Sequence, residues 1–200
     1  MNRLATIVAG LGGLLIVAVG VFLFVGGTPV GVMNTELGEI VIEFYPDVAP
    51  NHVANWKKLA RDGFFDGTTF HRVAPGFVIQ GGDPNSRDID PYNDGLGGPG
   101  WFVDQEFNDV PHERGIVSMA RGEAINSAGS QFFICLDDLP RLDGLYTVFG
   151  RVIEGMDTVD AIVALPLHPE MPERSLDPVR IIEASVQTRY RLPLIGEFRF

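Results

Sequence analysis

The chain has 200 residues, 46% of them hydrophobic, and a formal net charge of −11 at pH 7. This length can bury one sizeable core, and the acidic balance argues against nucleic-acid binding and against adhesion to anionic lipid through a basic patch. The single cysteine, Cys135, excludes an intrachain disulfide, and its position in an apolar run favours a buried hydrophobic residue over a nucleophile.

The N-terminal 25 residues predict a transmembrane helix. The segment Leu4–Val25 carries no charge and would span roughly 33 Å as a helix. A cleavable signal peptide is the alternative, but its apolar region is usually only about 7–15 residues long. Because Arg3 precedes the segment and Glu36 and Glu39 follow it, we expect the rest of the chain on the non-cytoplasmic side, or secreted if the segment is cleaved.

The next part of the chain predicts a linker followed by strands. Glycines and a proline in residues 26–34 indicate a short flexible linker. In Glu39–Phe44, apolar and mostly acidic positions alternate, which is typical of a half-buried strand. Further strands are predicted over residues 69–73, 77–80, 116–120, 131–136, 147–153 and 179–186.

Two helices interrupt this β pattern. The first is predicted over residues 51–62, with Asn51 as its N-cap and Gly63 as its stop; its apolar face comprises Val53, Trp56, Leu59 and Ala60. The second is predicted over residues 156–165, before Pro166. Many strands and no βαβ alternation predict a mainly β fold, a closed barrel with helices over its ends. Residues 187–200 form a tail without an assigned role.

The sequence lacks the residue patterns that several kinds of functional site require. The four histidines have no metal-ligand spacing, and no Gly-Lys-Ser/Thr run follows a strand, which argues against a metal site and a phosphate loop. Ser130 lacks the second glycine of a nucleophile elbow, which argues against a serine hydrolase.

Four motifs remain, and they occur in a fixed order: FHRVAPGFVIQGGD at residues 70–83, SAGSQFFI at 127–134, LDG at 142–144 and TVFG at 147–150. Together they resemble the cyclophilin-type peptidyl-prolyl cis-trans isomerases, and the resemblance covers about residues 30–186. It implies an isomerase domain over residues 35–186, built as an eight-stranded antiparallel barrel capped by two helices, with a substrate groove on the outer surface.

The resemblance also implies the site residues. Arg72 is the expected catalytic arginine, and no metal or cofactor is expected. The substrate-binding positions are Phe77, Val78, Gln80, Ala120, Arg121, Gln131, Phe133, Arg141, Leu142 and Tyr146. Without the motif, Phe77 and Phe133 would be interpreted as core residues, and Gln131 as a side chain that satisfies loop backbone.

Four of these positions depart from the family pattern. Val78 replaces a methionine, Tyr146 a histidine, Arg121 an asparagine and Arg141 a tryptophan. The first two keep apolar or aromatic surface, whereas the two arginines change the charge of the groove.

Two functions are consistent with these residues. The leading hypothesis is a monomeric isomerase that binds proline-containing polypeptides and assists the folding of exported or membrane-surface proteins. The alternative is a non-catalytic proline-peptide-binding or assembly module of the same fold. The presence of Arg72, Phe77 and Phe133 favours the enzyme.

Overall fold

The computed structural model describes residues 27–192 and 196–199. Within them, the helices are α1 (Pro50–Arg61) and α2 (Met156–Val163), and two short 3-10 turns cover Pro84–Arg87 and Pro140–Leu142. The strands are β1 (Thr28–Thr35), β2 (Gly38–Phe44), β3 (Arg72–Ala74), β4 (Val78–Gly81), β5 (Ile116–Met119), β6 (Phe132–Cys135), β7 (Val148–Glu154), β8 (Leu167–His168), β9 (Met171–Ser175), β10 (Ile181–Leu192) and β11 (Gly196–Arg199).

The prediction of a closed eight-stranded barrel is wrong. Nine of the described strands form one sheet in the order β11-β10-β1-β2-β7-β5-β6-β4-β3, and β8 and β9 form a separate pair. Between the segments that precede β3 and β10 there is only an isolated bridge, Thr69–Arg180, flanked by hydrogen bonds such as Phe70 N–H to Val179 O at 2.9 Å. Alternation of apolar residues indicates which face of a strand is buried, but it does not determine whether the two ends of a sheet form a ladder.

The first helix confirms its predicted buried face but not its predicted cap. Val53, Trp56, Leu59 and Ala60 are all buried. The N-cap position is Ala49, whose side chain makes no capping bond, so the assignment of Asn51 as the cap is wrong. The carboxylate of Glu106 instead accepts hydrogen bonds from the backbone N–H groups of Asn51 and His52, each at 3.0 Å. A distant acidic side chain thus satisfies donors that the helix itself leaves unpaired.

Both ends of the described chain contain more regular structure than the sequence predicts. Residues 28–34 of the predicted linker form β1 together with Thr35, and this strand pairs antiparallel with β2 and buries Val30, Val32 and Met33. Residues 189–192, assigned to the tail, pair antiparallel with residues 196–199. The chain divides into one compact unit over residues 30–187 and a second one, whose described residues are 27–29, 188–192 and 196–199.

The transmembrane helix predicted within residues 1–25 lies outside the described residues. In the part of the chain that the structure describes, no helix is both long and apolar enough to cross a membrane. Localisation stays a prediction.

The core of the larger unit depends on aromatic rings that meet beneath α1. Phe132 on β6 lies 5.7 Å from the ring of Phe65 and 6.3 Å from that of Phe70, in edge-to-face geometry, and Phe65 lies 5.3 Å from Trp56. All four side chains are fully buried. Successive residues of a strand point to opposite faces, so Phe132 and Ile134 join this core while Phe133 and Cys135 join a second apolar cluster. Strand β6 therefore separates the main core from the surface that carries the predicted site.

Replacing Phe132 with alanine should lower the free energy of unfolding by about 3–5 kcal/mol, because it leaves a cavity where two other rings meet. Urea denaturation of the full chain measures the change. The matched control is Phe102→Ala, since Phe102 is 72% exposed and its loss should cost no more than about 0.5 kcal/mol. Equal losses for the two variants would show that Phe132 is not central to the core.

Candidate active site

The predicted site residues lie in a row across neighbouring strands. Arg72 on β3 pairs with Gln80 on β4, Gln80 pairs with Phe133 on β6, and Phe133 pairs with Ser118 on β5. Cross-strand partners share a face of a sheet. The register of three strand pairs therefore brings a guanidinium, an amide and an aromatic ring together on one surface, although residues 72 and 133 lie far apart in the sequence.

A small cavity of about 120 Å³ lies on this surface. Nine of the eleven predicted residues line it, namely Arg72, Phe77, Val78, Gln80, Ala120, Arg121, Phe133, Leu142 and Tyr146. Gln131 lines a neighbouring cavity of about 340 Å³, and Arg141 stacks on Phe77 with its Cζ 4.4 Å from the ring centroid. The structure thus brings all eleven residues into one surface region.

The polar side chains form a directed series of hydrogen bonds. Nη1 of Arg72 donates to Oε1 of Gln80 at 3.4 Å, and Nε2 of Gln80 donates to Oε1 of Gln131 at 2.8 Å. Nε2 of Gln131 then donates to the carbonyl oxygens of Gly95 and Gly97 at 2.9 and 2.8 Å. Gln131 therefore satisfies loop backbone, as the alternative interpretation expected, and also orients Gln80. Its role in orienting substrate stays a prediction.

The strand β9 contacts the site from outside the predicted residue set. Oε2 of Glu173 accepts a hydrogen bond from Nε of Arg72 at 2.7 Å, and the next residue, Arg174, forms an ion pair with Asp94. Asp94 belongs to the loop whose carbonyls hold Gln131, and the buried Asp83 carboxylate accepts the N–H groups of Gly95 and Gly97 in that loop. Two adjacent residues of β9 thus fix both ends of the hydrogen-bonded series.

The aromatic wall of the small cavity has its own supports. Phe133 meets Tyr146 edge-to-face at 5.5 Å and stacks on the buried ring of His112 at 6.1 Å. Nδ1 of His112 lies 2.9 Å from Oδ1 of Asp143, and its Nε2 lies 3.1 Å from Oγ of Ser118. Hydrogen bonds from the backbone N–H and the ring of His112 lower the pKa of Asp143. The orientation of Phe133 therefore depends on a histidine held at both nitrogens.

Sequence reasoning missed Glu173 and His112 as parts of the site. Glu173 lies 101 positions after Arg72 in the chain, outside every motif, and no local spacing signals the contact. His112 also lies outside every motif, and its contact with Asp143 joins positions 31 residues apart. Among the described residues, no group of three or more His, Cys, Asp or Glu side chains is placed to hold a metal ion.

The family model for cyclophilin-type peptidyl-prolyl cis-trans isomerases matches residues 31–186. The chain belongs to this family. Its activity class is therefore peptidyl-prolyl cis-trans isomerisation, EC 5.2.1.8.

Individual relatives agree with the family match. A peptidyl-prolyl cis-trans isomerase of Synechococcus elongatus is 49% identical over 120 residues, which cover 60% of this chain and 77% of the relative. One from Schizosaccharomyces pombe is 39% identical over 158 residues, 76% of this chain and 95% of the relative. A crystal structure of a Cryptosporidium parvum cyclophilin, solved in the presence of the dipeptide Ala-Pro, superposes with a TM-score of 0.71 at 31% identity, covering 78% of this chain and 98% of the other.

His71, next to Arg72, is buried beneath the site. Burial lowers its pKa from 6.5 to about 4, although the nearby Asp83 carboxylate opposes the shift and Arg174 and Arg72 reinforce it. Near neutral pH the imidazole is thus uncharged in the folded cyclophilin domain. The pKa of His71 is lower in the folded state than in the unfolded state. The contribution of the neutral imidazole to the stability of the folded state is therefore present above about pH 6.5 and is lost as the pH falls toward about 4.

Between pH 7 and pH 5, His71 should account for a loss of about 2 kcal/mol in the free energy of unfolding, at 1.36 kcal/mol per pKa unit. Urea denaturation of the native chain and of His71→Phe at both pH values measures this difference. Burial also lowers the pKa of His52, which both proteins retain, so their comparison isolates His71. An equal loss in both proteins would contradict the assignment.

Proposed function

We propose that the chain isomerises X-Pro bonds in polypeptides that lie along the outer face of β3, β4 and β6, with the proline ring in the small cavity and Arg72 at the rotating amide. One observation carries this proposal: the cavity of about 120 Å³ combines the apolar surface of Phe77, Phe133 and Leu142 with the guanidinium of Arg72. The Cryptosporidium parvum cyclophilin solved in the presence of Ala-Pro supports proline-containing substrates.

The chemistry of the reaction agrees with these groups. Rotation about an X-Pro bond must overcome a barrier of roughly 18–20 kcal/mol, because the amide has partial double-bond character. The twisted state loses that conjugation and localises a lone pair on the prolyl nitrogen. A guanidinium is always charged and has fixed donors, so Arg72 can donate a hydrogen bond to that nitrogen or hold the carbonyl as it turns. Stabilising the twisted state by about 7 kcal/mol would raise the rate by roughly 10⁵.

Neighbouring side chains orient the guanidinium of Arg72. Glu173 engages Nε and Gln80 engages Nη1, while Cζ lies 5.5 Å from the ring centroid of Phe77. None of the hydrogen bonds formed by the described residues involves Nη2. A guanidinium held at Nε and Nη1, with Nη2 left to donate, loses little entropy when it meets the substrate, which favours stabilisation in the transition state.

Replacing Arg72 with alanine should lower kcat/KM by about 100-fold, or about 2.7 kcal/mol, because the donor to the twisted amide is lost. A protease-coupled assay with a proline tetrapeptide and the full chain measures the rate. Arg151→Ala is the matched control, since its Nε donates to Oε2 of Glu43 at 2.9 Å, a bond similar to that between Arg72 and Glu173. No turnover by the native chain would favour the binding-module alternative, and full activity in a folded Arg72→Ala variant would remove Arg72 from catalysis.

Glu173 should act as a positioning residue for Arg72. Replacing it with alanine should lower kcat about two- to fivefold with little change in KM, in keeping with the modest energy of a solvent-exposed ion pair. Glu173→Gln keeps an acceptor and should recover part of the loss. Glu43→Ala, which breaks the comparable pair with Arg151, is the control and should not alter kcat.

A double-mutant cycle separates positioning from a general effect on folding. Once Arg72 is alanine, Glu173→Ala should have no further effect on kcat, because the group that it orients is absent. Additive losses in kcat would contradict the positioning role.

A further inference from the structure

The small cavity is bordered by three arginines in a chain whose formal net charge is −11. Arg72 and Arg121 line the cavity itself, and Arg141 stacks on Phe77, which forms one of its walls. Among the residues that the structure describes, only one of these guanidinium groups has a carboxylate partner. The pair between Arg72 and Glu173 neutralises the first arginine.

Arg121 is held by groups that leave its charge uncompensated. Its Cζ lies 5.1 Å from the ring centroid of Tyr146, its Nε donates to the carbonyl of Leu145 at 3.2 Å, and its Nη1 donates to the carbonyls of Gly122 and Glu123. It is the backbone of Glu123, not the carboxylate, that accepts this bond. Aromatic and carbonyl contacts fix the side chain in place but do not cancel a positive charge.

The positive charge of Arg141 has still fewer polar partners. Its guanidinium stacks on Phe77, and among the residues that the structure describes it forms neither an ion pair nor a hydrogen bond with a side chain. The nearby carboxylate of Asp143 instead accepts hydrogen bonds from the backbone and ring of His112. A stacked guanidinium keeps its N–H donors at the edge of its plane, where a carboxylate can reach them.

The position of Arg121 connects the two cavities. Arg121 lines the small cavity, where the proposed function places the proline ring, and also the neighbouring cavity of about 340 Å³. Gln80 and Ala120 line both cavities as well. A polypeptide with its proline in the smaller cavity can therefore place a neighbouring side chain in the larger one, beside Arg121. On the far side of the proline cavity, Phe77 carries Arg141.

From these positions we infer that the groove selects X-Pro segments that have aspartate or glutamate within two residues of the proline. The inference rests on the proposed function and specifies the substrate class. Acidic side chains on one side of the proline meet Arg121, and those on the other side meet Arg141. The overall negative charge of the chain repels acidic peptides, so any preference for them must originate in the local field of these two arginines.

The test uses peptide pairs that differ only by glutamate or glutamine, placed two before, one before or one after the proline. Exchange NMR gives kcat/KM for each peptide with the full chain, relative to its uncatalysed rate. For at least one position we expect kcat/KM to be about two- to fivefold higher for the glutamate peptide than for the glutamine peptide, the range that exposed ion pairs supply. The effect should lie in KM, because these contacts do not change as the amide rotates, and it should fade near 1 M salt.

Variants assign the preference to the two arginines. Arg121→Gln and Arg141→Gln should each lower the glutamate-to-glutamine ratio at a different peptide position, and the double variant should bring every ratio to about one. Arg61→Gln removes the same charge from the exposed end of α1 and should leave the ratios unchanged. Ratios of one or less in the native chain, or a preference that survives in the double variant, would overturn the inference. If glutamine and glutamate peptides alike were not isomerised, the proposed function itself would fall, and the selectivity with it.

Discussion

The site depends on one constraint, the alternation of side chains along β6. Phe132 and Ile134 point into the main core, so Phe133 and Cys135 must point to the opposite face. The burial that stabilises the sheet therefore also fixes the wall of the small cavity. A shift of one residue in the register would turn Ile134 out of the main core and put the smaller Cys135 in its place, so core and cavity wall would change together.

Hydrogen bonds place polar side chains beside this apolar wall. Arg72 is engaged by Glu173 and Gln80, and the series continues through Gln131 to the loop carbonyls of Gly95 and Gly97. Each amide uses its oxygen to accept and its nitrogen to donate, so the direction of the series is determined from end to end. A site of this kind requires no ionisation step, because the guanidinium is charged at every relevant pH.

The positive charge beside the small cavity comes from two of the positions that depart from the family pattern, Arg121 and Arg141. Tyr146 still presents an aromatic face to Phe133, and Val78 still lines the cavity. Arg121 and Arg141 also lie against aromatic rings, so guanidinium groups cover apolar surface while their donors remain available. The same side chains thus cover aromatic surface at the small cavity and carry positive charge beside it.

The sequence by itself determined the family to which the chain belongs, the buried face of α1 and most strand positions, because motif order and alternation of apolar residues are local signals. It also named residues that the structure brings together around the small cavity, and their roles stay predictions. Tertiary structure decided the rest. It decided the order of the strands and left the two ends of the sheet without a continuous ladder between them. It also decided the strand formed by residues 28–35, the Glu106 cap of α1 and the contact of Glu173 with Arg72, all of which join segments distant in the chain. Hydrogen bonds and ion pairs between distant segments depend on how the strands are arranged, and periodicity along one segment carries no information about that arrangement.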